Sequence, residues 1–122
     1  MINILAVDDE EDILYTIKYG FEKFDDFKIN TAKNGEECLN ILKHYVPDLI
    51  LLDIMMPKMN GWQVLDIILG NPKWRNIPVF FITGADNEEF KKHAEELGIT
   101  YIEKPFIIED LKKEIDTYFK NK

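Results

Sequence analysis

The sequence predicts an α/β fold: a doubly wound parallel sheet of five strands with helices on both faces. Three observations carry this. Short apolar runs alternate strictly with longer amphipathic stretches, five times over. Three of the short runs, "NILAV", "LILL" and "VFFI", carry apolar residues on both faces, as strands covered on both sides must. The chain has 122 residues, 46% of them hydrophobic, which suits one domain burying about two thirds of its unfolded surface. Residues 1–122 are accordingly expected to form a single domain.

The first strand is placed at residues 2–7 and leads into five acids in "LAVDDEED". Glu10, Glu11 and Asp12 fit the opening of a helix over 10–23, whose positive dipole end favours carboxylates. Asp8 and Asp9 come earlier, at the strand end, where crowded carboxylates repel unless a positive group separates them; Asp9 could also serve only as an N-cap. A second strand at 27–32 and a helix at 35–44 follow, then a third strand at 49–53 ending in Asp53 and a helix at 61–69. The fourth strand, 79–83, closes on Thr83 before a helix at 87–97, and the fifth, 100–103, leads through Lys104 and Pro105 into a helix at 108–119. Ile13, Ile17, Phe21, Phe24, Ile41 and Leu42 read as core stripes at helical spacing. Trp74, in "GNPKWRNIP", reads as a surface feature, and His44 and His93 as helix-surface residues rather than metal ligands.

"KINTA" and "TYIE" alternate in polarity and suit sheet edges, so strands two and five are placed outermost. Among orders with those edges, 2-1-3-4-5 keeps the most sequential strands adjacent. Its direction reverses between strands one and three, and ligands bind beyond the carboxyl ends of strands at such a reversal. Asp8, Asp9 and Asp53 would converge there. Three carboxylates from two neighbouring strand ends suit a hard divalent cation, Mg²⁺ before Ca²⁺, because no EF-hand loop is present. Thr83 and Lys104 add a hydroxyl and an ammonium at the same rim. Singly these are an ordinary strand-end residue and a solvated charge; together with the acids they could hold a phosphoryl group.

Net charge −8 opposes direct binding to nucleic acid or anionic lipid. No apolar run is long enough for a membrane span, the N-terminus lacks an export signal, and the single Cys38 cannot form an intramolecular disulfide, which together lead us to expect a cytoplasmic protein.

The motifs "VDDE", "LLDIMMPKMNG", "FFITGA" and "YIEKPF", in that order and spacing, resemble those of the receiver (CheY-like) domain of two-component response regulators, over essentially the whole chain. The family has the flavodoxin-like (βα)5 fold with the same strand order, so the two arguments for that order are not independent. The resemblance implies that Asp53 is the phosphoacceptor, taking a phosphoryl group from a sensor histidine kinase or histidine phosphotransfer protein, with no enzymatic activity beyond its own phosphorylation and dephosphorylation. It implies Mg²⁺ as cofactor, held by Asp8, Asp9, Asp53 and the backbone carbonyl of Met55, and phosphoryl oxygens held by Lys104, Thr83 and backbone N–H groups of Met55 and Gly84. It also implies a cis bond before Pro105, Gly61 relieving backbone strain before the third helix, and a switch formed by Thr83 and Tyr101. The switch would act on a protein-binding face made of the fourth helix, fifth strand and fifth helix, with Ile107, Ile108 and residues 87–93 near the moving groups. Only Ile99 and Thr100 separate Gly98 from Tyr101, one residue fewer than the common pattern and without its acids, so a monomer is expected. A free-standing receiver is the first expectation, since the chain begins almost inside the first strand. The alternatives are the receiver part of a larger DNA-binding regulator and, more distantly, a Mg²⁺-dependent phosphatase, for which no leaving-group acid is evident beside Asp53.

Overall fold

The computed structural model describes residues 1–84 and 88–121. Its five strands are β1 (Ile2–Val7), β2 (Phe27–Ala32), β3 (Leu49–Asp53), β4 (Val79–Gly84) and β5 (Tyr101–Lys104), all parallel, in the order β2-β1-β3-β4-β5. The helices are α1 (Glu11–Phe21), α2 (Gly35–Leu42), α3 (Gly61–Leu69), α4 (Glu88–Glu96) and α5 (Ile108–Lys120). The expected fold and strand order are those observed. The expected start of the fourth helix at Asn87 and Ala85 of "FFITGA" lie outside the described residues.

The pleat of the central strands divides the core in two. Leu5, Val7, Ile50, Leu52 and Phe81 pack on one face with Cys38, Leu42, Val64, Ile68 and Ala94 of α2, α3 and α4. Ile4, Ala6, Leu49, Leu51, Phe80 and Ile82 pack on the other with Ile17 and Phe21 of α1 and Leu111 and Ile115 of α5. Of the stripes read from the sequence, Ile17, Phe21 and Leu42 are buried, whereas Ile13, Phe24 and Ile41 are only partly so. Cys38 is completely buried, and burial pushes its thiol up to about 12.

Local chemistry explains where elements stop. α2 ends two residues earlier than expected because Lys43 and His44 donate to Asn40 and Ile41, closing a tighter final turn. α1 likewise ends at Phe21, where Phe24 N–H bonds back to its carbonyl at 3.0 Å. α3 begins with a full capping box: the Asn60 side chain accepts from Gln63 N–H, and the Gln63 side chain accepts from Asn60 N–H.

Three expectations are corrected. Trp74 is not a surface feature: only 8% exposed, it belongs to the core on the α2–α3–α4 face. Its loop folds back through bonds from Trp74 and Arg75 to the Asn71 carbonyl and from Ile77 to the Trp74 carbonyl, which inserts the indole without helical or strand periodicity. Ile108 is likewise core, and only its neighbour Ile107 is exposed, at 60%. Gly61 relieves no left-handed backbone, since the positive φ of this loop, 68°, belongs to Lys58. Glycine is needed at position 61 for closeness: a Cβ there would sit 2.6 Å from the Asp53 carbonyl oxygen, where the backbone of α3 donates from Gly61 N–H to the Ile54 carbonyl.

Candidate functional site

The site lies at the carboxyl ends of β1, β3, β4 and β5, across the point where the strand order reverses. The Asp8 N–H continues the β1–β2 ladder by donating to the Ala32 carbonyl at 3.1 Å, which fixes the Asp8 side chain inward. One Asp8 carboxylate oxygen accepts from Glu10 N–H at 2.9 Å. Asp8 and Asp53 are almost fully buried, as is Thr83 on the neighbouring strand, while Asp9 is exposed. One carboxylate oxygen from each of Asp8, Asp9 and Asp53 lies within 4.8 Å of the others, so the three expected ligands do converge.

Lys104 closes the constellation. Its Nζ lies 3.0 Å from Asp8 Oδ2, 3.0 Å from Glu10 Oε1 and 3.4 Å from Asp53 Oδ1. Its own burial opposes the charge, but bonds to Asp8 and Glu10 and the Asp53 carboxylate more than compensate and hold it above the ordinary lysine range. One ammonium does not neutralise the buried acids. Burial, then repulsion from Asp8, pushes Asp53 up to about 8 despite Lys104. Asp8 is also raised, by burial, with the Glu10 N–H and Lys104 working against the shift.

Asp53 Oδ2 is buried with no hydrogen-bond partner among the described residues, and Asp8 Oδ2 meets Lys104 only as an ion pair. A buried carboxylate oxygen left without a partner is costly. Three converging carboxylates, one of them with such an oxygen, suit a hard cation that prefers oxygen ligands, so the donor set fits Mg²⁺.

The remaining expected residues are placed as follows. The Thr83 hydroxyl is near the Gly84 carbonyl at 3.4 Å. Gly84 pairs in register with Lys104, and Met55 follows β3 with its side chain 56% exposed. The Lys104–Pro105 bond is cis. Tyr101 is the register partner of Phe81 and packs with it on one core face, the face toward which Thr83, two residues along β4, also alternates. The Tyr101 hydroxyl donates to Glu95 Oε1 on α4 at 2.8 Å.

Other contacts went unread in the sequence. Glu10 occupies the N-cap position of α1 but makes no side-chain cap; its carboxylate is spent on Lys104, 94 residues away, and no local pattern reports that. Lys91 of α4 is buried and bonded to Glu103 of β5 and to Glu88. Its position three residues before the buried Ala94 was the available signal. His93 is exposed, as expected, yet its ring lies 4.6 Å from that of Trp62 on α3.

The family model of the response regulator receiver domain matches residues 4–116, and the chain belongs to that family. Among curated relatives, it is 40% identical over 98% of its length to 27% of a probable cyclic di-GMP phosphodiesterase of Vibrio cholerae. It is 38% identical over 98% of its length to 52% of the transcriptional regulatory protein CiaR of Streptococcus pneumoniae. The chain thus spans about a quarter to a half of the curated relatives it matches. Among solved structures, the receiver domain of the Francisella response regulator 1452 superposes with a TM-score of 0.85 at 29% identity, covering 99% of this chain and 98% of that one. The Vibrio cholerae chemotaxis protein CheY4 superposes with the same TM-score, 0.85, at 26% identity, covering 96% and 98%. No helix among the described residues is long and apolar enough to cross a membrane.

Proposed function

We propose that this chain accepts a phosphoryl group on Asp53 from the phosphohistidine of a kinase or phosphotransfer protein, and that the modification alters a protein-binding face formed by α4, β5 and α5. The observation that carries the reading is Lys104 lodged between two buried carboxylates, 3.0 Å from Asp8 and 3.4 Å from Asp53, with buried Thr83 on the adjoining strand.

In this reaction an ionised Asp53 oxygen forms a bond to phosphorus as the phosphorus–nitrogen bond to histidine breaks, the electron pair staying on the imidazole nitrogen, which takes up a proton. Lys104 and the Thr83 hydroxyl hold phosphoryl oxygens as charge redistributes, and backbone N–H groups of Met55 and Gly84 donate to the same oxygens. Asp8, Asp9, Asp53 and the Met55 carbonyl would hold Mg²⁺, which supplies Lewis-acid neutralisation of those oxygens. Ionisation of Asp53 matters because, with Lys104 as its one cationic neighbour among the described residues, its carboxyl retains a proton near neutrality. Output follows from Thr83: a hydroxyl drawn to the new phosphoryl group vacates space toward the Tyr101 ring, on the same face of the sheet.

Incubation with acetyl phosphate and Mg²⁺ should add one phosphoryl group, located on Asp53 by mass spectrometry and lost in Asp53→Asn. Phosphate on a histidine or serine with Asp53 unmodified would contradict the reading. The length of the curated relatives supports a second possibility for the setting, that of a receiver within a larger regulator; CiaR is by name a transcriptional regulatory protein. The native reading frame past Lys122 decides between that and a free-standing receiver. The phosphodiesterase name is not carried over, because the match covers 27% of that protein.

A further inference from the structure

The ammonium of Lys104 has three donors, and three carboxylates lie within 3.4 Å of it. Any phosphoryl oxygen that binds Lys104 must therefore displace one of them. The three are unequal. The Asp8 and Asp53 side chains are at most 3% exposed and cannot turn to water if they lose Lys104, whereas the Glu10 side chain is 60% exposed and regains water on release. Glu10 is also held where it can act this way. Its N–H is fixed by Asp8 Oδ1 at 2.9 Å, and its side chain, at the N-cap of α1, forgoes capping to reach Lys104 at 3.0 Å.

We infer that Glu10 is a built-in competitor for the phosphoryl group: a positioning residue whose carboxylate occupies Lys104 in the resting protein and is displaced when a phosphodonor enters. The inference rests on the phosphoacceptor reading above. Glu10 thereby weakens binding of the anionic donor without taking part in bond making, because once displaced it no longer touches Lys104. An exposed ion pair contributes up to about 1 kcal/mol, so the effect on donor affinity should be about two- to fivefold.

The test is the rate of phosphorylation by acetyl phosphate at saturating Mg²⁺ in wild type, Glu10→Gln, Lys104→Ala and the double variant. Glu10→Gln should lower the KM for acetyl phosphate about two- to fivefold with the saturating rate unchanged, and the difference should shrink as salt is raised. In the Lys104→Ala background the same substitution should change KM little, because Glu10 acts through Lys104. An unchanged KM in Glu10→Gln, a change confined to the saturating rate, or an equal KM effect with and without Lys104 would each overturn the inference, the last by showing simple repulsion of an anion. Failure of the wild type itself to accept phosphate on Asp53 would instead reject the phosphoacceptor reading.

Discussion

The Tyr101 hydroxyl is tied to Glu95 one turn of α4 beyond Lys91, which is itself tied to Glu103, two residues along β5 from Tyr101. Two polar clips in matching register thus fasten α4 to the edge strand, and one of them holds the ring proposed to move. Glu95 raises the Tyr101 phenol above its ordinary range, first through the hydrogen bond itself. In Glu95→Gln the Tyr101 titration should move down toward an unperturbed tyrosine and the ring should become more mobile before any phosphorylation. Carbon-13 NMR of labelled tyrosine reads both; an unmoved titration curve would remove Glu95 as the resting clip.

Metal-free stability should depend on pH through Asp53. Its carboxyl is raised from 3.8 to about 8, so the folded chain holds a proton that the unfolded chain has released over that interval. The stabilisation is complete below about pH 4 and is lost as pH rises through about 8. Asp53→Asn lacks this loss, and its stability advantage over the wild type should grow across the window to the order of 1–3 kcal/mol. Mg²⁺ should then narrow the gap by stabilising the wild type more than the variant, which lacks one of the carboxylate ligands. Thermal unfolding with and without Mg²⁺ checks this, and a gap independent of pH would contradict it.

Asp9→Ala tests the metal while leaving both buried carboxylates, Asp8 and Asp53, in place. Outer-shell partners of a metal commonly cost 10- to 100-fold in affinity, and a direct ligand should cost about as much or more. Because Asp9 is exposed, metal-free stability should hardly change. Mg²⁺ titration followed by Trp62 fluorescence should show the weakened binding; equal affinity in variant and wild type would exclude Asp9 from the site.

Trp74→Ala should destabilise the chain by about 3–5 kcal/mol, the usual cost of truncating a buried aromatic, and Trp74→Phe by clearly less. Urea unfolding gives both values. A loss below about 1 kcal/mol for the alanine variant would mean that the indole contributes little to the core.

Light scattering with beryllofluoride and Mg²⁺ should find the activated chain monomeric, since the acids that often precede the β5 aromatic are absent between Gly98 and Tyr101. Gly98, at φ 71°, makes the short return from α4 possible. A tight activated dimer through α4, β5 and α5 would reverse this expectation.

What the sequence could and could not reveal follows from the range of each interaction. The sheet was legible because runs such as "LILL" and the alternation in "TYIE" are local signals of burial, and Asp8, Asp9, Asp53, Thr83 and Lys104 were legible because each stands at a strand end. Trp74 was misread because its burial depends on a turn closed by Asn71, which leaves no periodic trace. Glu10 was assigned to helix opening because its real partner, Lys104, lies 94 residues away. Gly61 was assigned to strain because its reason, the Asp53 carbonyl beneath it, is visible only once β3 and α3 are docked.

The seclusion of Cys38 has a practical consequence. Its sulfur is shut inside the sheet–helix interface, and the thiolate form that reacts with alkylating reagents is disfavoured up to about pH 12. The folded protein therefore presents no competing thiol to a maleimide probe. A single cysteine introduced at an exposed position, such as Lys92 on α4, can be labelled without first removing the native one, which gives spectroscopy a clean handle on the helix that the Tyr101 clip restrains.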